Sequence, residues 1–407
     1  MTNHIEIIAI GSEILRGRIV NSNASEISHA LLLAGYPTER HTVLPDDAPS
    51  LKQGLTEALK RSRVVIATGG LGPTCDDITR QTAAELFHSD FRLDQNIAEA
   101  LKRRYGSAII NLENQATVPT KAIILTNDIG TAPGLIFHTA TSTLILMPGV
   151  PKEMRAMLHG QVIPYLEQHF PHSHYESKVL HFFELSEAAI DPCLRELQQQ
   201  FPAIEFGIYP SHGSVAVQLT AEGKGTHTAA LSAAAKVLSQ RFAEHYLELP
   251  SGKIEQSVQQ VFIDNKWTLA LAESCTGGSI ASRLTQVPGA SQYFLGSLVC
   301  YSNALKESLL GVPKELLATY GAVSEQTVVA MVSGLLKAVD SDFGVAVSGV
   351  AGPTGGSEIN PVGTVWIATA RRGHPPQTRC LRAHGNREMV IERSVNAALY
   401  SLLRNTL

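Results

Sequence analysis

The segment LALAESCTGGSIASRL, residues 269–284, concentrates more chemistry than any other stretch of the chain. An apolar strand ends at Glu273, a turn carries Ser274, Cys275 and Thr276, and Gly277 and Gly278 open a helix. A nucleophile on such a turn faces helix N–H groups that stabilise an oxyanion. Three nucleophiles compete for the role. Cys275 is intrinsically the strongest but needs a base and an electropositive site, and no His lies between His245 and His374. Ser274 also needs a base, and a buried, partly neutral Lys is a known alternative to His. Thr276 suits a cap or a ligand contact. Downstream, LVCYSNALKESLLGV (298–312) offers Tyr301, Asn303 and Lys306, although an average Lys in such a place is a solvated helix residue. GAVSEQTV (321–328) reads as a loop in which Ser324 caps a helix. SGVAGPTGGSEINPVGTVW (348–366) is a Gly- and Pro-rich loop between two strands, either a phosphate cradle or a flexible crossing, with ligand contact the favoured reading.

The N-terminal half carries a second set. IGSEILRGRIVNSN (10–23) and TGGLGPTCDDITR (68–80) each follow an apolar strand, where open parallel sheets bind ligands. Gly69, Gly70 and Gly72 allow close backbone approach to an anion, and Thr74 stands beside them. Asp76 and Asp77 are adjacent acids at the start of a helix. They read either as N-caps or, with Glu13, as oxygen ligands for Mg²⁺ or a similar divalent ion bridging phosphates. NDIGTAPG (127–134) and PGVPKEM (148–154) add two further loops. The Walker pattern GxxxxGK[ST] is absent. These residues alone point to a phosphorylated, nucleotide-like ligand with metal assistance.

The elements that must position these residues alternate. IEIIAI (5–10), VVIAT (64–68) and TLILM (143–147) read as buried strands. Residues 21–34, 77–87 and 151–170 read as helices. This alternation predicts a doubly wound, mainly parallel sheet over 1–170. PHSHYES (171–177) reads as a linker into a small α+β domain over 171–250, with helices at 188–200 and 228–245. LPSGK (249–253) marks a second boundary, and 251–407 reads as a further α/β domain closed by a helix at 388–403.

Composition excludes several classes. Lys and Arg number 33 against 37 Asp and Glu, so a dedicated nucleic-acid coat is not expected. No apolar run reaches the roughly 18 residues of a membrane span, and the N-terminus lacks the basic segment and cleavage site of a signal peptide. Five cysteines without a CxxC pair argue against a zinc ribbon and against a disulfide scaffold. A reducing cytoplasm is the expected compartment.

Taken together and in order, these motifs resemble the CinA (competence/damage-inducible) family over essentially the whole chain. GSEILRGRIVNSN, TGGLGPTCDDITR, GTAPG and PGVPKEM resemble its molybdopterin-binding-like domain. AESCTGG, YSNALKESLLGV, GAVSE and SGVAGPTGGS with PVGTVW resemble its nicotinamide mononucleotide deamidase domain. The segment between them resembles its KH-like module, without the nucleic-acid-clamping GXXG loop. The resemblance implies two hydrolytic activities on products of NAD breakdown. In the last domain, nicotinamide mononucleotide would give nicotinate mononucleotide and ammonia. Ser274 would be the nucleophile, Lys306 its base and Tyr301 a positioning or proton-transfer group. Amides near Thr276, Gly277 and Gly278, together with Asn303, Ser348, Gly349, Gly352 and Arg387, would contact substrate or oxyanion, and no cofactor is implied. In the first domain, ADP-ribose would give AMP and ribose 5-phosphate at Gly69, Gly70, Gly72 and Thr74, with a divalent metal on Asp76, Asp77 and Glu13. A homodimer is implied, with no nucleic-acid or membrane partner. One segment departs from the family pattern: in GNREMVIER (385–393), Asn386 stands for an Asp and Ile391 for a second Arg, with Arg393 nearby as a candidate substitute.

Overall fold

The computed structural model describes residues 4–74, 77–106, 111–223 and 225–406. They divide into two compact units, Met1–Glu176 with Glu222–Gly225, and Ser177–Ala221 with Thr226–Leu407.

In the first unit a six-stranded sheet runs in the order Arg40–Leu44, Ile5–Ile10, Val64–Thr68, Thr143–Met147, Gly134–His138, Ile123–Leu125. The first four strands are parallel and the last two join antiparallel. Alternate residues of a strand point to opposite faces. Here Ile5, Ile7, Val64, Ile66 and Ile145 enter one core, and Ile8, Ile10, Val65, Ala67, Leu144 and Leu146 enter another. A sheet buried on both faces needs helices on both, which is why these strands read as unbroken apolar runs. Helix Ala48–Arg61 supplies one cover through Leu51, Leu55, Ala58 and Leu59, and Asp47 caps it by accepting from Ser50 N. Helix Ser22–Leu33 covers the other face through Ala24, Ile27, Ala30 and Leu31. The helix expected over 151–170 is interrupted. Pro151–Met157 passes through a π turn at Leu158–Val162 into Ile163–His169. Pro164 has no N–H to return to the preceding turn, so the ladder widens there.

Strands Glu205–Ser211, Ser214–Glu222, Tyr175–Phe183 and Tyr246–Leu247 form a four-stranded sheet, in that order. Ser214–Glu222 buries every second residue, and Val215, Val217, Leu219 and Ala221 pack with residues of helices Glu187–Gln200 and Thr228–Arg241 in one core.

The last sheet runs Phe294–Val299, Leu269–Glu273, Phe343–Gly349, Thr364–Arg371, Gln377–Arg382. Its first three strands are parallel, and the last two are antiparallel. One face presents large side chains, Leu269, Leu271, Val345, Val347 and Ile367, to the helices Ile254–Asp264 and Arg387–Arg404. The other presents Ala270, Ala272, Ala346, Ala368 and Ala370, and that small-residue floor lets helix Glu325–Ala338 pack through Val328, Met331, Val332 and Leu335. Among the described residues no helix is long and apolar enough to cross a membrane.

Candidate active site

Leu269–Glu273 lies between two parallel neighbours, so its C-terminal end opens where an α/β sheet holds its ligand. Ser274 comes next and donates its N–H to Val347 O at 3.0 Å, which anchors the turn to the sheet. Gly277 N donates to Ser274 O at 3.0 Å, and Gly278 takes φ 100° to enter helix Ser279–Thr285. That φ is left-handed and suits Gly.

Glu273 is wholly buried, and its carboxylate accepts from Gly278 N at 3.0 Å, Ile280 N at 3.1 Å, Ala281 N at 3.0 Å and Ser297 Oγ at 3.0 Å. It occupies the positive end of the helix in place of an N-cap side chain. The expectation that the Gly277 and Gly278 amides face an oxyanion is therefore not met: both are spent inside the turn. Thr276 is buried and its Oγ1 has no partner, so a polar group at this site is left unanswered by the protein.

Lys306 sits on helix Asn303–Leu310, whose start is fixed by Ser302 accepting from Leu305 N. It is 1% exposed. Its Nζ lies 3.0 Å from Ser274 Oγ and donates to Cys300 O at 2.9 Å. No carboxylate pairs with it among the described ion pairs. Burial pulls the ammonium below its ordinary range, against the opposing pull of the Cys300 and Cys275 thiols. Cys275 is also buried, and burial pushes its thiol up to about 12. A thiol held protonated is a poor nucleophile. The structure thus brings the Ser274 hydroxyl to a desolvated amine and leaves Cys275 inert.

A second group stands at the mouth. Arg387 opens helix Arg387–Arg404, donating to Gly352 O at 2.9 Å and to Tyr301 Oη at 3.1 Å. It is close enough for its charge to act on the Cys275 thiol. Asn386 caps this helix by accepting from Met389 N at 2.9 Å, so Asn performs the capping an Asp would. Tyr301 and Asn303 are exposed. Ser348 donates to Ala322 O at 2.7 Å and pins the 321–324 loop, where Ser324 caps its helix by accepting from Thr327 N. At Gly349, a Cβ would press on Val365 and Thr364 O.

In the first unit, loops after three strands converge. Asn23 donates to Thr68 Oγ1 at 3.2 Å and to Gly149 O at 2.8 Å, and Thr68 donates to Pro148 O at 2.8 Å. Gly69 has φ 116°, and a Cβ there would strike Ile10 O. Gly70 and Gly72 lie equally tight against Thr79 and Asp77. The Asp77 carboxylate accepts from Thr74 N at 2.9 Å and from the Thr74 hydroxyl, closing the turn before helix Thr79–Leu86. The Glu13 carboxylate folds against Gly11. Asp76 lies outside the described residues. Among the described residues no three His, Cys, Asp or Glu side chains gather as a metal ion requires.

Reading the sequence missed Glu273, Asn23 and the Asn127–Glu153 hydrogen bond of 2.7 Å that closes the 127–134 loop. For Glu273 one signal was available, an acid ending an otherwise apolar strand just before a helix.

Residues 251–406 match the CinA C-terminal domain, and residues 6–168 match the probable molybdopterin binding domain. A putative competence-damage inducible protein of Desulforamulus reducens is 37% identical over 406 residues, 97% of each chain. The chain belongs to the CinA family. A CinA-like protein of Synechococcus is 39% identical over 376 residues, covering 90% of this chain and 89% of its own. The crystal structure of competence damage-inducible protein A from Klebsiella pneumoniae is 37% identical, covering 36% of this chain and 91% of its own with a TM-score of 0.36. In this CinA chain Ile391 lies one helical turn beyond Arg387 and packs against the core. Arg393 is six residues on, which turns it to another side of the helix, and its stem packs on Gly213.

Proposed function

We propose that the Ser274 site is a serine amidohydrolase that deamidates nicotinamide mononucleotide. The observation that carries this reading is the buried Lys306 amine at 3.0 Å from Ser274 Oγ. A neutral amine that donates one N–H to Cys300 O keeps its lone pair for the serine proton. Ser274 Oγ then bonds to the carboxamide carbon while Lys306 Nζ takes the proton. The C–N bond breaks as Lys306 returns that proton to nitrogen, and ammonia leaves. Water, deprotonated by the same amine, attacks the acyl carbon, and the ester bond to Ser274 breaks to give nicotinate mononucleotide. With Gly277 and Gly278 committed, the amides of Cys275 and Thr276 are the candidates for the oxyanion. The Arg387 guanidinium suits the phosphate, being bidentate in form and already oriented by Gly352 O and Tyr301. Asn303 and the loop at Ser348, Gly349 and Gly352 frame the nucleotide. The substrate itself comes from the family resemblance. Ammonia release from nicotinamide mononucleotide tests the reading. Ser274→Ala is expected to abolish release while binding stays measurable, and Cys275→Ala is expected to be mild. Release that survives Ser274→Ala but not Cys275→Ala would move the nucleophile to the thiol.

For the first unit the reading is a phosphate-binding site for ADP-ribose at the loops around Gly69, Gly70, Gly72 and Thr74. Hydrolysis to AMP and ribose 5-phosphate is what the resemblance implies. The engagement of the Asp77 carboxylate by Thr74 favours the alternative of binding without turnover. Metal-dependent AMP formation that is lost in Asp76→Ala would decide for hydrolysis.

A further inference from the structure

Within the second unit a cavity of about 420 Å³ lies between the start of helix Glu187–Gln200 and the end of strand Gln377–Arg382. Arg382, His384 and Arg393 line it, with Glu184, Ser186 and Glu187 opposite. Its walls are fixed to one another. Phe183 stacks on Tyr400 at 5.1 Å, Asn396 donates to His212 O at 2.7 Å, and Tyr400 donates to Glu244 O. The cavity is therefore a built feature of the fold.

Its charges do not balance. Glu184 Oε2 forms an ion pair with Arg379, while its Oε1 is buried without a hydrogen-bond partner. Among the described residues Arg382 donates to the neutral Thr364 hydroxyl and to no carboxylate. Among the described residues Arg393 pairs with no carboxylate, and its Nε is buried with no acceptor. A buried guanidinium nitrogen without an acceptor is costly, and natural proteins rarely leave one so. The start of the 14-residue helix, capped by Ser186 accepting from Ala189 N, adds a positive backbone potential at the cavity wall. Glu187, at the exposed rim, and the ion-paired Glu184 oppose an incoming anion, against Arg379, Arg382 and Arg393.

We infer that this cavity binds a phosphorylated small molecule, held by Arg382 and Arg393, at a place separate from the Ser274 site. Guanidinium groups favour phosphate because their planar fork gives paired hydrogen bonds to its oxygens. The inference does not rest on the amidase reading, and its test is a binding measurement.

The test is calorimetric titration of the full-length chain with inorganic phosphate and, separately, with AMP. In the wild type each titration reports all phosphate-binding sites together. The paired substitution Arg382→Gln with Arg393→Gln is expected to remove one class of site, weakening it roughly ten-fold or more. Glu187→Gln is expected to tighten the same class, an opposite effect that misfolding would not produce. Arg387→Gln should leave this class intact. Tighter binding of AMP than of phosphate would identify a nucleotide ligand, and equal binding would identify the free anion. Titrations of both probes unchanged by the paired substitution and by Glu187→Gln would overturn the inference.

Discussion

Lys306 Nζ stands 3.0 Å from Ser274 Oγ, with Cys300 O at 2.9 Å on its other side and, among the described residues, no carboxylate to keep it charged. This pairing works as a base only when the amine is neutral. Its burial depresses the amine's pKa from the ordinary 10.5. Ammonia release should therefore rise with pH through the depressed value and level off above it. Lys306→Ala should lower the rate by on the order of a hundred-fold or more, since an unactivated serine is a weak nucleophile. A pH–rate profile of wild type and variant checks both.

The same burial carries a stability cost of definite sign. The folded protein holds the Lys306 proton less tightly than the unfolded chain does. Between the depressed pKa and 10.5 the unfolded state binds more protons, so stability rises with pH across that window. Below the window the full penalty applies. Lys306→Met keeps the volume and drops the charge. It should unfold at higher urea than wild type at neutral pH, with the advantage shrinking as pH approaches 10.5, while activity is lost. Equal midpoints at neutral pH would mean that the amine costs the fold nothing.

Glu273 gives a second prediction. Three backbone amides and Ser297 Oγ converge on its carboxylate. Glu273→Gln puts an NH₂ where only acceptors fit, leaving two donors face to face. The expected cost is about 1–3 kcal/mol in urea unfolding. Because the turn that carries Ser274 loosens, kcat should fall more than KM rises. A variant with normal kcat and a raised KM would assign Glu273 to substrate binding instead.

Much of this arrangement is legible in the sequence. The strands at 5–10, 64–68 and 143–147 are apolar throughout because both sheet faces are buried, and they stand where the pattern puts them. Strand Arg40–Leu44 is missed because it is an edge strand with half-exposed, polar residues, RHTVL. The Ser274 turn follows from strand, small residues and glycines. The occupation of its helix end by Glu273 does not, because a buried carboxylate and a solvated one look alike in a string of letters. Nor does local spacing show that Lys306 points inward, since its burial depends on how its helix packs against the sheet.

Ile391 gives a third prediction. It occupies the position one turn after Arg387 where the resemblance implies a second Arg, and it packs partly into the core. Ile391→Arg should lower KM for nicotinamide mononucleotide several-fold by adding a second phosphate donor. The buried methylenes lost from the core should cost about 1 kcal/mol. An unchanged KM in a folded variant would show that Arg387 alone holds the phosphate.

The last prediction concerns Glu6, wholly buried in the second strand of the first sheet, Ile5–Ile10. Burial alone would raise its pKa, but Arg61, Thr42 and Ser62 outweigh that and hold it below 4.5. Arg61 donates to it through Nε at 2.8 Å and Nη2 at 2.6 Å, Thr42 at 2.6 Å and Ser62 at 3.2 Å. A carboxyl with a depressed folded pKa stabilises the fold above its unfolded pKa, and that contribution is lost as pH falls through the folded value. Arg61→Met leaves the carboxylate buried with hydroxyl partners only. The expected loss is on the order of 3 kcal/mol at pH 7, less at pH 4, where the proton it then needs is cheaper to acquire. Urea melts of both proteins at the two pH values measure the difference. A loss that stays the same at pH 4 would mean that Arg61 acts through packing of its stem and not through the charge of Glu6.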